Sequence, residues 1–125
     1  MAFKQYQKYK NKRVEFDGLI FDSLKEKRRY CELQILQKQG MISDLRLQVP
    51  YELLPAIYED VTVQLKTKTK TQRKLVQRAT TYVADFVYTR DGKEVVEDTK
   101  GFRTKEYELK KKMMRSLLGI EIQEL

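Results

Sequence analysis

The sequence contains no histidine and a single cysteine, and these two shortages exclude several kinds of chemistry. Without histidine the chain cannot form a serine–histidine triad, a zinc site with imidazole ligands or a histidine general base. Cys31 has no partner for an internal disulfide, and its helical pattern predicts a small core residue. Any metal ion would need oxygen ligands, which favours a hard ion such as magnesium or manganese.

Long hydrophobic runs are also missing. No apolar run approaches the roughly 18 residues of a membrane span, and the first residues lack the apolar core of a signal peptide. The sequence therefore predicts an intracellular, cytoplasmic protein. Hydrophobic residues make up 41% of the 125 residues and charged residues 35%, which suits one globular domain with its own core.

The net charge of +8 predicts a polyanionic partner. Nucleic acid is the leading choice and an anionic membrane surface the second. Charge for solubility alone is the third interpretation, and the clustering of the lysines and arginines argues against it. Residues 1–14 are basic, contain two tyrosines and lack apolar periodicity, which predicts a flexible arm. Such an arm either contacts phosphates and bases or is simply a frayed terminus.

Residues 82–101 form the segment that organises the rest of the sequence. Its two halves alternate with a period of two, which predicts two strands. Asp91-Gly92 tolerates the positive φ of a two-residue hairpin loop and predicts the turn between them. Counting outward from that turn places Asp85 opposite Asp98, with Lys100 diagonal to Asp85.

Two opposed carboxylates on one strand face need an explanation, because like charges directly opposite each other are destabilising. The faces that carry Asp85 and Asp98 also carry Val83, Val87 and Val96, as a core-facing side does. A bound cation is the simplest explanation, since it converts the repulsion into a set of ligands. The alternative is an exposed hairpin whose carboxylates are solvated.

The first helix is predicted over residues 24–39. Ser23 and Glu26 match the Ser-x-x-Glu capping pattern, and Gly40 ends the helix. Two apolar stripes predict that the helix is substantially buried. One stripe consists of Leu24, Cys31 and Ile35, and the other stripe consists of Glu26, Tyr30 and Leu33. Glu26 is therefore either only a capping residue or an acid that joins the two on the hairpin.

Alternating segments predict strands at residues 45–49 and 57–65, with Pro50 as an interruption. The following segment, residues 66–74, alternates lysine with threonine and has no apolar residue. It either follows a phosphate backbone or is a solvated edge that lysines protect from aggregation. Its candidate nucleic-acid-binding residues are Lys66, Lys68, Lys70, Arg73 and Lys74.

A second helix is predicted over residues 105–118, capped by Thr104 and ended by Gly119. Tyr107, Met114 and Leu117 form its predicted inner face. Arg103, Lys110 and Lys111 could contact phosphate. A final short strand follows, so the order of elements predicts one α/β domain, residues 15–125, around a mixed sheet.

Asp85, Asp98 and Lys100, with Glu26 as a fourth member, have the residue types that phosphodiester cleavage needs. Two carboxylates can hold a divalent ion that polarises the phosphate and lowers the pKa of a bound water. A lysine two residues after the second carboxylate can orient that water or neutralise the charge that develops on phosphorus. The helix carboxylate can complete the shell of the ion through a water.

The pattern of Asp85 followed by Asp98-Thr99-Lys100 on the next strand resembles the PD-(D/E)XK nuclease superfamily. Residues 21–30 resemble its first core helix, and residues 95–112 look like a small phage-borne branch similar to Holliday-junction resolvases. The resemblance covers roughly residues 16–125. Ala84 departs from it, since the named motif has proline at that position.

The resemblance implies a magnesium- or manganese-dependent DNA endonuclease with a restriction-endonuclease-like αβββαβ core. It implies that Glu26, Asp85 and Asp98 are metal-site acids, that the Thr99 carbonyl is a ligand, and that Lys100 is the catalytic lysine. Gln48 approaches the site from an earlier strand in this interpretation.

A small phage-borne enzyme would act in the host cytoplasm on branched recombination or replication intermediates, and a symmetric junction would favour a homodimer. Two alternatives remain open at this point. One is a nucleic-acid-binding protein that kept the fold without catalysis. The other is a small structural or adaptor protein of a phage, whose basic charge serves solubility.

Overall fold

The computed structural model describes residues 13–99 and 103–125. Residues 1–12 of the predicted basic arm lie outside the described residues, as does Lys100, the predicted catalytic lysine. Within the described ranges the chain forms eight β-strands and two α-helices, and the largest sheet is mixed, which confirms the predicted α/β class. Neither of the described helices is long and apolar enough to cross a membrane.

The described chain begins with a hairpin in which β1 (Val14–Phe16) pairs with β2 (Leu19–Phe21). Its loop residues, Asp17 and Gly18, have φ of 57° and 76°, as a two-residue loop with positive φ requires. The sequence predicts that the folded domain begins at residue 15. It misses β1, because the predicted arm includes Val14, which instead pairs with the end of β2.

The first helix, α1 (Leu24–Lys38), begins and ends where the sequence predicts. Ser23 Oγ accepts a hydrogen bond from Glu26 N at 3.1 Å, and Gly40, with φ of 79°, follows the last turn. Its buried residues are Glu26, Tyr30 and Leu33. The prediction of a second buried stripe is wrong, because Ile35 is 56% exposed.

The remaining strands are β3 (Ser43–Leu54), β4 (Ile57–Gln64), β5 (Thr69–Gln77), β6 (Thr80–Arg90), β7 (Lys93–Asp98) and β8 (Ile122–Glu124). The main sheet has the order β3-β6-β7-β8, with β7 and β8 parallel and the other neighbours antiparallel. Pro50 was predicted to interrupt a strand but lies within β3, opposite Val83. Proline is tolerated there because β3 is an edge strand of this sheet, where a missing N–H can face away from the neighbour.

The second helix, α2 (Lys105–Met113), continues into a π-helical turn, Met114–Leu118. Thr104 caps its first turn, and Gly119, with φ of 69°, ends the π-helical turn. The sequence predicts both ends but not the change of helix type. Leu117, predicted on the inner face, is 52% exposed. A π-helical turn contains more residues than an α-helical turn, so it rotates the side chains that follow it.

Two apolar clusters pack against the main sheet. The α2-side core consists of Leu53, Tyr82, Ala84, Val87, Val96, Tyr107, Met114 and Ile122. The α1-side core consists of Phe21, Tyr30, Leu33, Ile42, Phe86 and Tyr88. The adjacent β6 residues Phe86 and Val87 belong to different cores, so the sheet separates the two clusters.

Strands β4 and β5 form a separate two-stranded antiparallel sheet, here called the ribbon. Every residue of β5 is exposed, and on β4 only Val61 and Val63 are partly buried. The loop between the strands is closed by Leu65 N, which donates to the Lys68 carbonyl at 2.8 Å. The ribbon is thus exposed to solvent on both faces over most of its length.

Candidate metal centre

The β6–β7 hairpin positions the two predicted acids. Its Asp91-Gly92 loop has φ of 52° and 76°, and the pairing follows the predicted register from the loop to Phe86 and Glu97. The next residues outward are Asp85 and Asp98, whose predicted opposition lies one position beyond the last bridged pair. The predicted register of this hairpin is confirmed over all five of its bridged pairs.

Alternation along β7 separates Asp98 from its neighbour Glu97. Asp98 Oδ2 accepts a hydrogen bond from the hydroxyl of Tyr82, a residue of the α2-side core, at 2.5 Å. Glu97 instead accepts from Arg29 Nε and Nη2 of α1, at 2.9 Å and 2.6 Å. The sequence-based choice of Asp98 over Glu97 depends on this difference in face, and the structure confirms the difference.

The Tyr82 hydroxyl is within electrostatic reach of both acids. Burial raises the pKa of Tyr82 far above its ordinary value, and the hydrogen bond to Asp98 and the charges of Asp98 and Asp85 raise it further. Tyr82 is therefore a neutral donor at neutral pH. Asp98 is only 1% exposed, so this hydroxyl stabilises a carboxylate that water scarcely reaches.

Asp85 is held by Thr99, the residue that follows β7. Thr99 donates two hydrogen bonds to Asp85 Oδ2, one from its backbone N and one from Oγ1, each at 2.9 Å. The two acids thus have different donors, and these hydrogen bonds hold one oxygen of each carboxylate in place. The predicted role of the Thr99 carbonyl as a ligand stays a prediction.

Glu26 joins these acids from the first turn of α1 through Gln48. One oxygen, Oε1, accepts from Asp22 N at 3.1 Å, and the other, Oε2, accepts from Gln48 Nε2 at 3.1 Å. Gln48 Nε2 is also 3.5 Å from Asp85 Oδ1, at the limit of a hydrogen bond. Glu26 therefore accepts a hydrogen bond at the start of the helix and approaches Asp85 through Gln48, and its role as a metal-site acid stays a prediction. Glu26, Asp85 and Asp98 are called the acid cluster below.

The electrostatics of Glu26 show that its charge is unfavourable where it lies. Glu26 is 4% exposed, and burial, followed by the charge of Asp85, raises the pKa of Glu26 to about 7. The backbone hydrogen bond from Asp22 opposes this shift. The charges of Glu26 and Asp85 therefore oppose each other at this end of α1.

A break in strand alternation directs Gln48 and Asp85 to the site. Ala84 packs in the α2-side core and Phe86 in the α1-side core, although regular alternation would put both on one face. Gln48 lies opposite Asp85 in the β3–β6 register and has φ of 52°. The apolar pattern continues unchanged through both positions, so the sequence carries no signal for the break. The expectation that Asp85 belongs to a regularly alternating face is wrong.

The chemistry of the donor set fits a hard divalent ion. Carboxylate and carbonyl oxygens are the ligands that Mg²⁺ and Mn²⁺ take. Within residues 13–99 and 103–125, however, no three acidic or cysteine side chains lie close enough to form a metal-ligand group by themselves. An ion held here would therefore need Asp85 and Asp98 together with the Thr99 carbonyl or water molecules.

The basic residues predicted between positions 66 and 74 all lie on the ribbon. Lys66 and Lys68 are in its loop, and Lys70, Arg73 and Lys74 are on β5. In the β4–β5 register Glu59 lies opposite Lys74, and Asp60 lies opposite Arg73. No acid lies opposite the lysines nearer the loop in the described pairing. The uncompensated positive charge is therefore concentrated at the distal end of the ribbon.

The basic residues near α2 form ion pairs with acids of the same region. Arg103 and Lys111 both contact Glu124, the latter with Nζ at 3.2 Å from Oε2. Lys110 Nζ is 3.0 Å from Glu106 Oε2. Contacts of these residues with nucleic acid remain predictions, and such contacts would have to compete with these ion pairs.

Comparison with known proteins gives a family but no activity. The profile of the family described as "Protein of unknown function (DUF1064)" matches residues 6–118. No curated protein matches the chain, and no solved structure matches it.

Proposed function

The chain belongs to the DUF1064 family, and we propose that it is a divalent-metal-dependent DNA endonuclease of the PD-(D/E)XK type. The observation that carries the proposal is the arrangement of the acid cluster. Asp85 and Asp98 are the next residues outward from the last bridged pair of one hairpin, and Glu26 contacts Gln48, which lies 3.5 Å from Asp85, from a separate helix. Burying acids beside one another has no benefit for a protein that only binds a polyanion.

The order of elements supports the same proposal. The two helices and the main sheet follow the chain as α1, β3, β6, β7, α2 and β8, which is helix, three strands, helix, strand. This is the order that the resemblance to restriction-endonuclease-like cores implies, with the ribbon inserted between its first two strands. The acid cluster would then occupy the position where such nucleases hold their metal.

In the proposed reaction Asp85, Asp98 and the Thr99 carbonyl would hold the ion, with Glu26 reaching it through water. When bound, the ion lowers the pKa of a water and polarises the phosphate. The protein groups keep the carboxylates in place: Tyr82 holds Asp98, and Thr99 holds Asp85, so little reorganisation is needed when charge develops. Lys100 would neutralise the charge on the pentavalent phosphorus.

The ribbon would hold the DNA. A two-stranded β-ribbon fits the width of a major groove, and its distal lysines would contact the phosphates on either side. The resemblance to junction-cleaving nucleases extends the proposal to branched recombination or replication intermediates of a phage. A homodimer would place two sites on two strands of such a symmetric substrate.

Plasmid nicking and labelled-junction cleavage test the proposal, with Mg²⁺, Mn²⁺ and chelator compared. We expect cleavage with either ion and none with chelator. Asp98→Asn and Asp85→Asn should each lower the cleavage rate by about a thousandfold or more, while DNA binding changes little. The control is Asp91→Asn, since it removes an acid from the same hairpin and asparagine tolerates the positive φ of the loop.

Two results would end the proposal. Full cleavage by both site variants would show that the acids are not catalytic. Metal-independent DNA binding without cleavage of linear, flap, junction or single-stranded DNA would favour the alternative, a non-catalytic nucleic-acid-binding protein.

A further inference from the structure

A cavity of about 270 Å³ lies beside the acid cluster on the α1 side of the sheet. Its lining residues are Lys25, Arg28, Arg29, Glu32, Thr99 and Leu125. The four α1 residues are spaced at i, i+3, i+4 and i+7, so they form one stripe of the helix. That stripe adjoins Glu26, which means that α1 supplies both an acid to the cluster and cations to the cavity.

Arg29 forms a fixed wall of the cavity. Its guanidinium makes a two-pronged ion pair with Glu97, which is only 2% exposed and also accepts from the Tyr88 hydroxyl. Hydrogen bonding to Glu97 raises the pKa of Arg29 further. The charge of Arg29 is thus balanced from behind, and its side chain is held in one position.

Arg28 supplies the excess positive charge. Lys25 Nζ donates to the main-chain oxygen of Leu125. Among the described residues, the Arg28 guanidinium has neither a hydrogen bond nor an ion pair with another side chain. Glu32 is the acid in the lining, and its Oε1 is already 3.0 Å from Arg29 Nη1. The cavity is therefore suited to an anion of small size.

Thr99 connects this cavity to the acid cluster. It lines the cavity, and its backbone N and Oγ1 hold Asp85 Oδ2. We propose that the cavity binds a backbone phosphate of the cleaved strand, next to the phosphate under attack. This inference rests on the proposed nuclease function, because it assigns the substrate strand a path past Thr99. Arg28 and Lys25 are its phosphate-binding residues.

The experiment measures binding of a single-stranded oligonucleotide by fluorescence anisotropy in chelator, where no cleavage occurs. Arg28→Ala should raise the dissociation constant about tenfold, the effect expected for removing one charge-assisted hydrogen bond to phosphate. The matched control is Lys38→Ala, which removes one exposed cation from the last turn of the same helix. The control should change binding by less than about twofold, because exposed charges remote from the bound strand are screened by salt.

A second arm identifies the phosphate. Oligonucleotides that carry one neutral methylphosphonate are compared position by position. At one position the substitution should weaken binding to the wild-type protein about tenfold and leave binding to Arg28→Ala unchanged, since the partner charge is already gone.

A third arm adds inorganic phosphate as competitor, and millimolar amounts should displace little oligonucleotide.

Three results would overturn the inference. The first is an equal effect of Arg28→Ala and Lys38→Ala on binding, and the second is a methylphosphonate effect that does not depend on Arg28. The third is displacement by micromolar inorganic phosphate, which would indicate a site for free phosphate. Failure of the nuclease proposal is distinguishable, because it would appear as absent metal-dependent cleavage while the Arg28-dependent methylphosphonate effect persisted.

Discussion

The β6–β7 hairpin and the ribbon have the same topology and opposite surroundings. Both are antiparallel pairs with alternating side chains, but β6 is mostly buried and β5 is exposed throughout. In the buried hairpin the buried acids have specific partners, as Asp98 has Tyr82 and Glu97 has Arg29. In the ribbon the lysines extend into water. The comparison teaches that one pairing motif can hold its side chains fixed in a core or leave them exposed to solvent, according to its depth.

The largest expected contrast concerns stability. Phe86→Ala in β6 should lower the free energy of unfolding by about 3–5 kcal/mol, because it leaves a cavity at a residue that is 0% exposed. Leu75→Ala in the ribbon, at a residue 43% exposed, should change it by less than about 0.5 kcal/mol. Urea denaturation measures both. Equal losses would mean that the ribbon packs against something essential to the fold.

The next contrast concerns buried and exposed carboxylates. Glu97→Gln should destabilise the protein by about 3 kcal/mol, because it leaves the Arg29 charge without its buried partner. Glu59→Gln on the ribbon should fall within about 0.5 kcal/mol of wild type. Thermal and urea unfolding of the two variants provide the measurement. A tolerant Glu97 site would show that water compensates Arg29, contrary to the burial of this pair.

The acid cluster also predicts a dependence of stability on pH. Burial and Asp85 raise the pKa of Glu26 from 4.5 to about 7, so the native state binds this proton more tightly than the unfolded state does. The resulting stabilisation is complete below pH 4.5 and is lost as the pH rises through about 7. In chelator, the unfolding free energy should fall over this window, by at most about 1.4 kcal/mol per pH unit for one proton.

Glu26→Gln should remove that decline, because glutamine does not titrate. The chain has no histidine, so few other side chains change charge between about pH 5.5 and 7. Unfolding free energies measured at several pH values provide the check. A decline of unchanged slope in the variant would assign the proton to another group.

The smallest effect concerns the ribbon and appears in the salt dependence of DNA binding. Replacing Lys66, Lys68 and Lys70 with alanine should reduce the slope of log K against log salt by about 0.9 for each phosphate that the protein no longer neutralises. A control in which three exposed lysines elsewhere are replaced, Lys38, Lys93 and Lys112, has the same net charge. Its slope should stay near that of wild type. Equal slopes in the two triple variants would exclude a specific role for the ribbon.

Local signals explain which parts of the fold could be predicted from sequence. The Asp91-Gly92 loop determines the β6–β7 register, and Ser23 with Glu26 marks the start of α1, because turns and caps depend on a few neighbouring residues. The i, i+4, i+7 spacing of Glu26, Tyr30 and Leu33 likewise identifies the buried face. These signals are enough to bring Asp85, Asp98 and Glu26 into one hypothesis.

The remaining features depend on tertiary contacts, which leave no local pattern. The alternation break at Gln48 and Asp85 arises where two strands share two cores, and Pro50 is accepted because of its edge position. Tyr82 lies within a predicted alternating strand, and its hydroxyl reaches Asp98 on the neighbouring strand, a contact that the pattern does not signal. The sequence gives no reason to single out Lys25 and Arg28, because only the fold places them beside Thr99 in one cavity.

The insertion point of the ribbon has a consequence for how such a protein can change over time. Leu54 and Thr80 already pair with each other across β3 and β6, so the chain could pass from one to the other by a short turn. Residues 55–79 are therefore a replaceable cassette, which can be shortened or exchanged without moving the hairpin behind it. Under the proposed function, substrate preference and bond-breaking chemistry would then diversify independently within one lineage.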